Sequence, residues 1–132
     1  MKIAVIIARS VLGLIFLIFG LDYFLDFISH IVNLPSAGNK ADSFFGALAA
    51  AGYFFPFLKS LEVIFGLCLL LNVYPLFFTI AVFPITVNIF VFHASVARPY
   101  IPLGGGMLLL NLLLIFAYWK YYSGLFKVKP EL

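Results

Sequence analysis

From Val63 to Ala97 the chain carries no formally charged side chain, and Pro99 to Trp119 repeats the pattern. Two further apolar stretches come before these: Ile3 to Leu21, interrupted only by Arg9, and Phe44 to Leu58. A spanning helix needs about 20 mostly apolar residues to cross roughly 30 Å of hydrocarbon. In a chain of 132 residues that is 65% hydrophobic and 10% charged, such segments fill almost all the available length. Water is a poor solvent for them and a bilayer a good one.

The spacing predicts an all-α integral membrane four-helix bundle in a single domain, residues 1–132. Its spans are expected at about 3–28, 57–73, 76–93 and 104–122. Little chain is left over for a soluble catalytic domain. The apolar runs do not alternate with polar residues at period two, which excludes the strands of a membrane barrel. Lys2 followed by Ile3 to Phe19 has the charge and apolar centre of a signal peptide. However, Gly20-Leu21-Asp22-Tyr23-Phe24 lacks the small-x-small pair that a signal peptidase needs, so the segment reads as a retained first span.

Charge placement orients the spans. Of the basic residues behind the net charge of +3, Lys2, Arg9, Lys120, Lys127 and Lys129 flank the two ends. Four helices put both termini on one side, and the positive-inside bias assigns that side to the cytoplasm of a bacterial-type inner membrane. The basic C-terminus is then a membrane flank and not a nucleic-acid surface. The single cysteine, Cys68, lies among leucines and excludes an internal disulfide or a Cys-x-x-Cys pair.

Asp22 to Asp42 is the most polar stretch and reads as the main outer loop. Asp42-Ser43 is then expected to cap a short interfacial helix at about 43–54, between spans one and two. Asn72-Val73-Tyr74-Pro75 makes a tight hairpin turn. Pro84 is expected to kink the third span. Gly104-Gly105-Gly106 lacks the lysine of a phosphate loop and suits close helix packing.

The chemistry must lie in the polar groups that survive inside the apolar runs. Glu62 is the strongest of these, because a carboxylate at that depth must face protein, water or a partner. Gly66 at i+4 puts it on a face that a neighbouring helix can approach closely. Arg9 shares its face with Gly13 and Gly20. Arg9 and Glu62 are expected to differ in depth by roughly 12–15 Å at about 1.5 Å per residue. Arg9 is therefore expected to reach for cytoplasmic headgroups or carbonyls; direct pairing with Glu62 would require offset helices. Asn88 and His93 are expected near the level of Glu62, and Asn111 to seek a cross-helix partner in span four. Tyr53, Phe54 and Phe90 are candidates to line a pocket.

Asp22, Asp26 and His30 recur every four residues and could form a metal-binding stripe, although a solvated face is the commoner outcome. His30 and His93 raise bis-histidine haem ligation, which their position at span ends disfavours. No metal site is assigned. No serine or cysteine nucleophile stands at a recognisable spacing from a histidine.

Taken together, these residues resemble the DoxX-like family of small four-helix membrane proteins. The resemblance rests on Arg9-x3-Gly13 and Gly20 in the first span and a short segment ending in Pro56. It continues through Glu62-x3-Gly66-Leu67-x-Leu69-Leu70 to a third span closing on His93. It implies membrane-associated redox work, since family members are linked to quinone-reducing or sulfur-oxidising complexes, often as subunits without a redox centre of their own. Glu62 matches the family's glutamate and Arg9 its first-span arginine, with His93 a looser match. Relatives often carry a basic residue about a turn after the glycine corresponding to Gly20, where this chain reads Asp22-Tyr23.

Two functions follow as expectations. One is a redox accessory subunit binding a quinone or similar apolar ligand near Glu62, among other membrane or redox subunits or copies of itself. The other is a non-catalytic scaffold in which Glu62 and Arg9 serve packing alone. A small carrier would show inverted repeats, and no internal repeat is found.

Overall fold

A computed structural model gives the fold and describes residues 2–131. Among the described residues the regular structure is all helical, with no strand. α1 spans Lys2–Leu25, α2 Ile28–Ile31, α3 Asn39–Ala50, α4 Phe54–Leu70, α5 Pro75–Val96, α6 Ile101–Ala117 and α7 Trp119–Tyr122. Single 3₁₀ turns follow α5 at Arg98–Tyr100 and α7 at Ser123–Phe126. Three helical stretches, Lys2–Leu25, Pro75–Val96 and Arg98–Ala117, are long and apolar enough to cross a membrane. α3 and α4, bent by 98° at the break between them, make a fourth if counted as one broken span.

Local chemistry explains where the boundaries differ from those expected at about 3–28, 43–54, 57–73, 76–93 and 104–122. α1 stops at Leu25 because Asp26 turns left-handed, with φ 50°. The Asp22 carboxylate then accepts the amides of Phe27 (2.9 Å) and Ile28 (2.7 Å), capping the next turn in place of a longer first helix. α3 begins at Asn39, before Asp42-Ser43. Its cap is Gly38 at φ 107°, a backbone angle that favours glycine. Asp42 sits in the first turn, where its charge suits the helix dipole. α4 starts at Phe54, with Pro56 in the first turn, where no intrahelical N–H is needed. The hairpin turn carries Asn72 and Tyr74 at φ 60° and 46°, Pro75 opens α5, and α5 runs unbroken through Pro84 to Val96.

The long helices pack in a ring: α1 on α4, α4 on α5, α5 on α6 and α6 on α1. The α1–α4 seam is the most extensive and the α4–α5 seam the least. α1 and α4 run antiparallel, since Gly13 meets Gly66 while Gly20 meets Lys59 and Val63. The core is Ala8, Leu12 and Phe16 of α1, Leu69 of α4, Val82 of α5, and Met107 and Leu114 of α6.

The surface inverts the usual soluble arrangement. Ile3, Phe77, Leu109 and Phe116 stand outside, while Arg9, Glu62, Thr79, Thr86, His93 and Asn111 are buried. An apolar exterior, with polar side chains confined to the interior beside the apolar core, matches hydrocarbon as the surroundings.

Candidate functional site

Glu62 is 3% exposed. Its place on α4 fixes its direction. Gly66, four residues on, faces α1, while Phe65 meets Phe78 of α5 with ring centroids 5.3 Å apart. Glu62 lies on the helix between these two directions and so points into the ring. Its partner is Lys59, one turn back, whose Nζ stands 3.3 Å from Oε2 and donates to Oε1 at 3.4 Å. The signal for this pair in the sequence is its i,i+3 spacing, at which opposite charges meet on one helix face.

Arg9, 8% exposed, does not meet Glu62. Its Nη1 donates to the carbonyl oxygens of Leu69 (2.5 Å) and Leu70 (3.3 Å). These belong to the last turn of α4, which carries the negative end of the helix dipole, and the Leu69 carbonyl also accepts the Asn72 amide at 3.3 Å. Eight residues separate Leu70 from Glu62, about 12 Å of helix rise. The expected difference in depth is present, and the guanidinium takes backbone carbonyls as its ligands.

Asn111 is fully buried and its Nδ2 donates to the Thr79 carbonyl at 3.1 Å, across the α5–α6 seam. Thr79 Oγ1 and Asn111 Oδ1 are buried without a hydrogen-bond partner. Nearby, the Tyr122 hydroxyl donates to the Leu76 carbonyl at 2.5 Å. Thr79, Thr86 and Tyr122 join the buried polar residues beside those expected from the sequence. The signal for the threonines was their spacing with His93: residues 79, 86 and 93 are seven apart and share a face.

His93, 8% exposed, lies at the other end of α5. Its ring packs against the backbone of Gly104, so closely that a Cβ there would strike Nδ1. Phe92 and Tyr100 flank it at 5.7 and 6.0 Å. These rings belong to an aromatic layer joining Tyr23 of α1, Phe45 of α3, Phe55 of α4 and Phe92 of α5, with successive centroids 4.9–6.0 Å apart. The Tyr100 hydroxyl donates to the Pro35 carbonyl and ties the polar loop to this layer. Among the rings expected in a pocket, Phe54 packs on Phe55 and Phe90 faces Gly105, whereas Tyr53 is 69% exposed.

Asn88 departs from its expected place. It is exposed on the outer side of α5 and joins neither Glu62 nor His93. The reason is angular: five residues on a regular helix turn about 140°, and α5 commits His93 to the interior. The proposed stripe of Asp22, Asp26 and His30 is broken by the same local chemistry that ends α1. Asp22 is engaged by backbone amides, while the exposed His30 Nε2 and Asp26 Oδ2 stand 4.0 Å apart. His30 is exposed on α2, whereas His93 is buried on α5. No cluster of three metal-ligating side chains occurs among the described residues.

The surface hollows include two beside the C-terminal end of α1. A groove of about 400 Å³ runs along the outside of the α1–α4 seam, lined by Leu21, Phe24, Leu25, Ser60, Val63 and Ile64. Ser60 and Ile64 are each about 160° round α4 from Glu62, so the groove lies across the helix from the carboxylate. The other, about 260 Å³, sits under the polar loop beside Asp22, Ser29 and Asn33. Neither is lined by Glu62 or Arg9. Comparison with protein-family models, curated proteins and solved structures finds no match to this chain.

Proposed function

We propose that this chain is a DoxX-like integral membrane subunit that binds a quinone or similar apolar ligand against Glu62. In this reading α1, α4, α5 and α6 are the four spans of a bundle and α3 is an interfacial helix. Both termini lie on the cytoplasmic side of a bacterial-type inner membrane, and the partners are other redox subunits. The observation that carries the reading is the Glu62–Lys59 pair, its carboxylate buried inside the ring of apolar helices that also carries a layer of aromatic side chains. Apolar residues of similar volume fill such a space at no desolvation cost, so a buried ion pair is weakly explained by stability alone. Intramembrane ionisable residues are functional sites by default. Glu62 is the carboxylate of the pair, and a proton passed to it from Lys59 gives the neutral acid that donates to a ligand carbonyl. The α4–α5 seam, the least extensive of the four, is the side on which an apolar ligand enters from the bilayer.

A second reading, a non-catalytic scaffold, draws on two observations. Arg9 is occupied by the α4 carbonyls, and neither hollow touches Glu62. Native mass spectrometry with absorption spectroscopy on purified wild type and Glu62→Gln separates the two. A quinone bound to the wild type and lost from the variant is the result expected. A ligand-free wild type, with a variant that is merely less stable, establishes the scaffold.

A further inference from the structure

The outward face of α5 differs from the rest of the apolar exterior. Thr79, Val82, Thr86 and His93 form its buried stripe. Asn88 stands about 150° round the helix from the middle of that stripe. It belongs to a second series, Phe77, Ala81, Pro84, Asn88, Val91 and Ser95, in which steps of four and three residues alternate. Phe77 (63%), Val91 (51%), Pro84, Asn88 and Ser95 are all exposed, and Ala81 is half-buried. Alternating steps of four and three are the a/d repeat of a helix that pairs with another, with Ala81, Asn88 and Ser95 at a.

The two intramembrane asparagines show what Asn88 lacks. Asn111 donates across the α5–α6 seam, while the Asn88 carboxamide makes no hydrogen bond among the described residues. Asn88 lies about 12 Å of helix rise from Val96 and about 20 Å from Pro75, inside a hydrocarbon layer of roughly 30 Å. Neither water nor headgroups satisfy a carboxamide at that depth. Pro84, on the same face, withholds the N–H that the Ile80 carbonyl would otherwise accept, which leaves a further acceptor beside the series.

We propose that two copies of this chain associate through α5, as a parallel pair across a two-fold axis along the membrane normal, with Asn88 at the crossing. The second copy is the occupant because the carboxamide is complementary to itself in partial charge. The NH₂ of each Asn88 donates to the carbonyl oxygen of the other, giving two reciprocal hydrogen bonds in an isologous contact. A single polar residue at an a position also sets the register of such a pair. The small side chains of Ala81 and Ser95 let the backbones approach on either side of it. The inference rests on α5 crossing the bilayer and is independent of what Glu62 binds.

The test is Förster transfer between donor- and acceptor-labelled full chains, co-reconstituted in phosphatidylcholine vesicles over a range of protein-to-lipid ratios. The wild type is expected to form dimers. Asn88→Leu is expected to weaken association by roughly tenfold, and Asn88→Gln to retain most of it. In a Cys68→Ala background, Ser95→Cys is expected to cross-link on oxidation, and Leu109→Cys, on the outward face of α6, is not. A wild type that inserts yet stays monomeric at every ratio overturns the dimer while leaving the membrane reading intact. Undiminished association of Asn88→Leu, or preferential cross-linking at residue 109, overturns the assignment to α5.

Discussion

Gly13 of α1 and Gly66 of α4 face each other across the antiparallel seam. A Cβ on Gly13 would lie 2.8 Å from the Gly66 carbonyl oxygen, and one on Gly66 would lie 2.7 Å from that of Gly13. The obstacles on both sides are backbone atoms, which cannot swing away as a side-chain end can. This contact sets how closely α1 and α4 approach, and with it the register that brings Arg9 to Leu69.

Gly66→Ala is therefore expected to destabilise the protein by about 1–3 kcal/mol, the usual cost of forcing extra volume into a packed seam. Gly46→Ala, on α3 with nothing within 4 Å of the added methyl, is expected to be neutral or stabilising. Thermal unfolding of both variants in one detergent checks the contrast. Equal stability would show that the seam opens freely.

The Glu62–Lys59 pair predicts an asymmetric mutant cycle. Lys59→Met leaves a buried carboxylate without its cation and is expected to cost about 3–5 kcal/mol. Glu62→Gln leaves Lys59, 22% exposed in its side chain, with a route outward, and is expected to cost less. Adding Glu62→Gln to Lys59→Met is expected to recover most of the loss. Additive losses in denaturant unfolding would mean that the two side chains do not act as a pair.

Arg9→Ala removes charge-assisted bonds to the Leu69 and Leu70 carbonyls and is expected to cost about 1.5–3 kcal/mol. The loss is local to the end of α4, so hydrogen exchange at Leu70 and Leu71 is expected to rise before exchange elsewhere in α4. Arg9→Lys is expected to recover only part of the protection, since a single ammonium replaces a planar fork. Uniform exchange along α4 in Arg9→Ala would argue against a capping role.

Much of this molecule is determined by local chemistry and so could be read along the chain. The charge-free runs require helices in an apolar medium, because only closed backbone hydrogen bonding survives there. The faces of Gly13, Gly20 and Gly66 follow from helical periodicity alone, and their close approach was expected from it. The hairpin turn at Asn72 to Pro75 is likewise a local property of its residues. Boundaries were less legible: a single side chain moved the end of the first helix, when Asp22 took the amides of Phe27 and Ile28.

Tertiary structure alone decided where the polar groups found partners. Arg9 meets Leu69 across 60 residues of sequence, and its acceptors are backbone carbonyls, which every residue has and none advertises. Asn88 and Asn111 look alike in the sequence, as amides amid apolar residues. They diverge because α5 has room for one inward stripe, and Thr79, Thr86 and His93 hold it. A helix writes its faces into its spacing, but which face turns inward is settled by its neighbours.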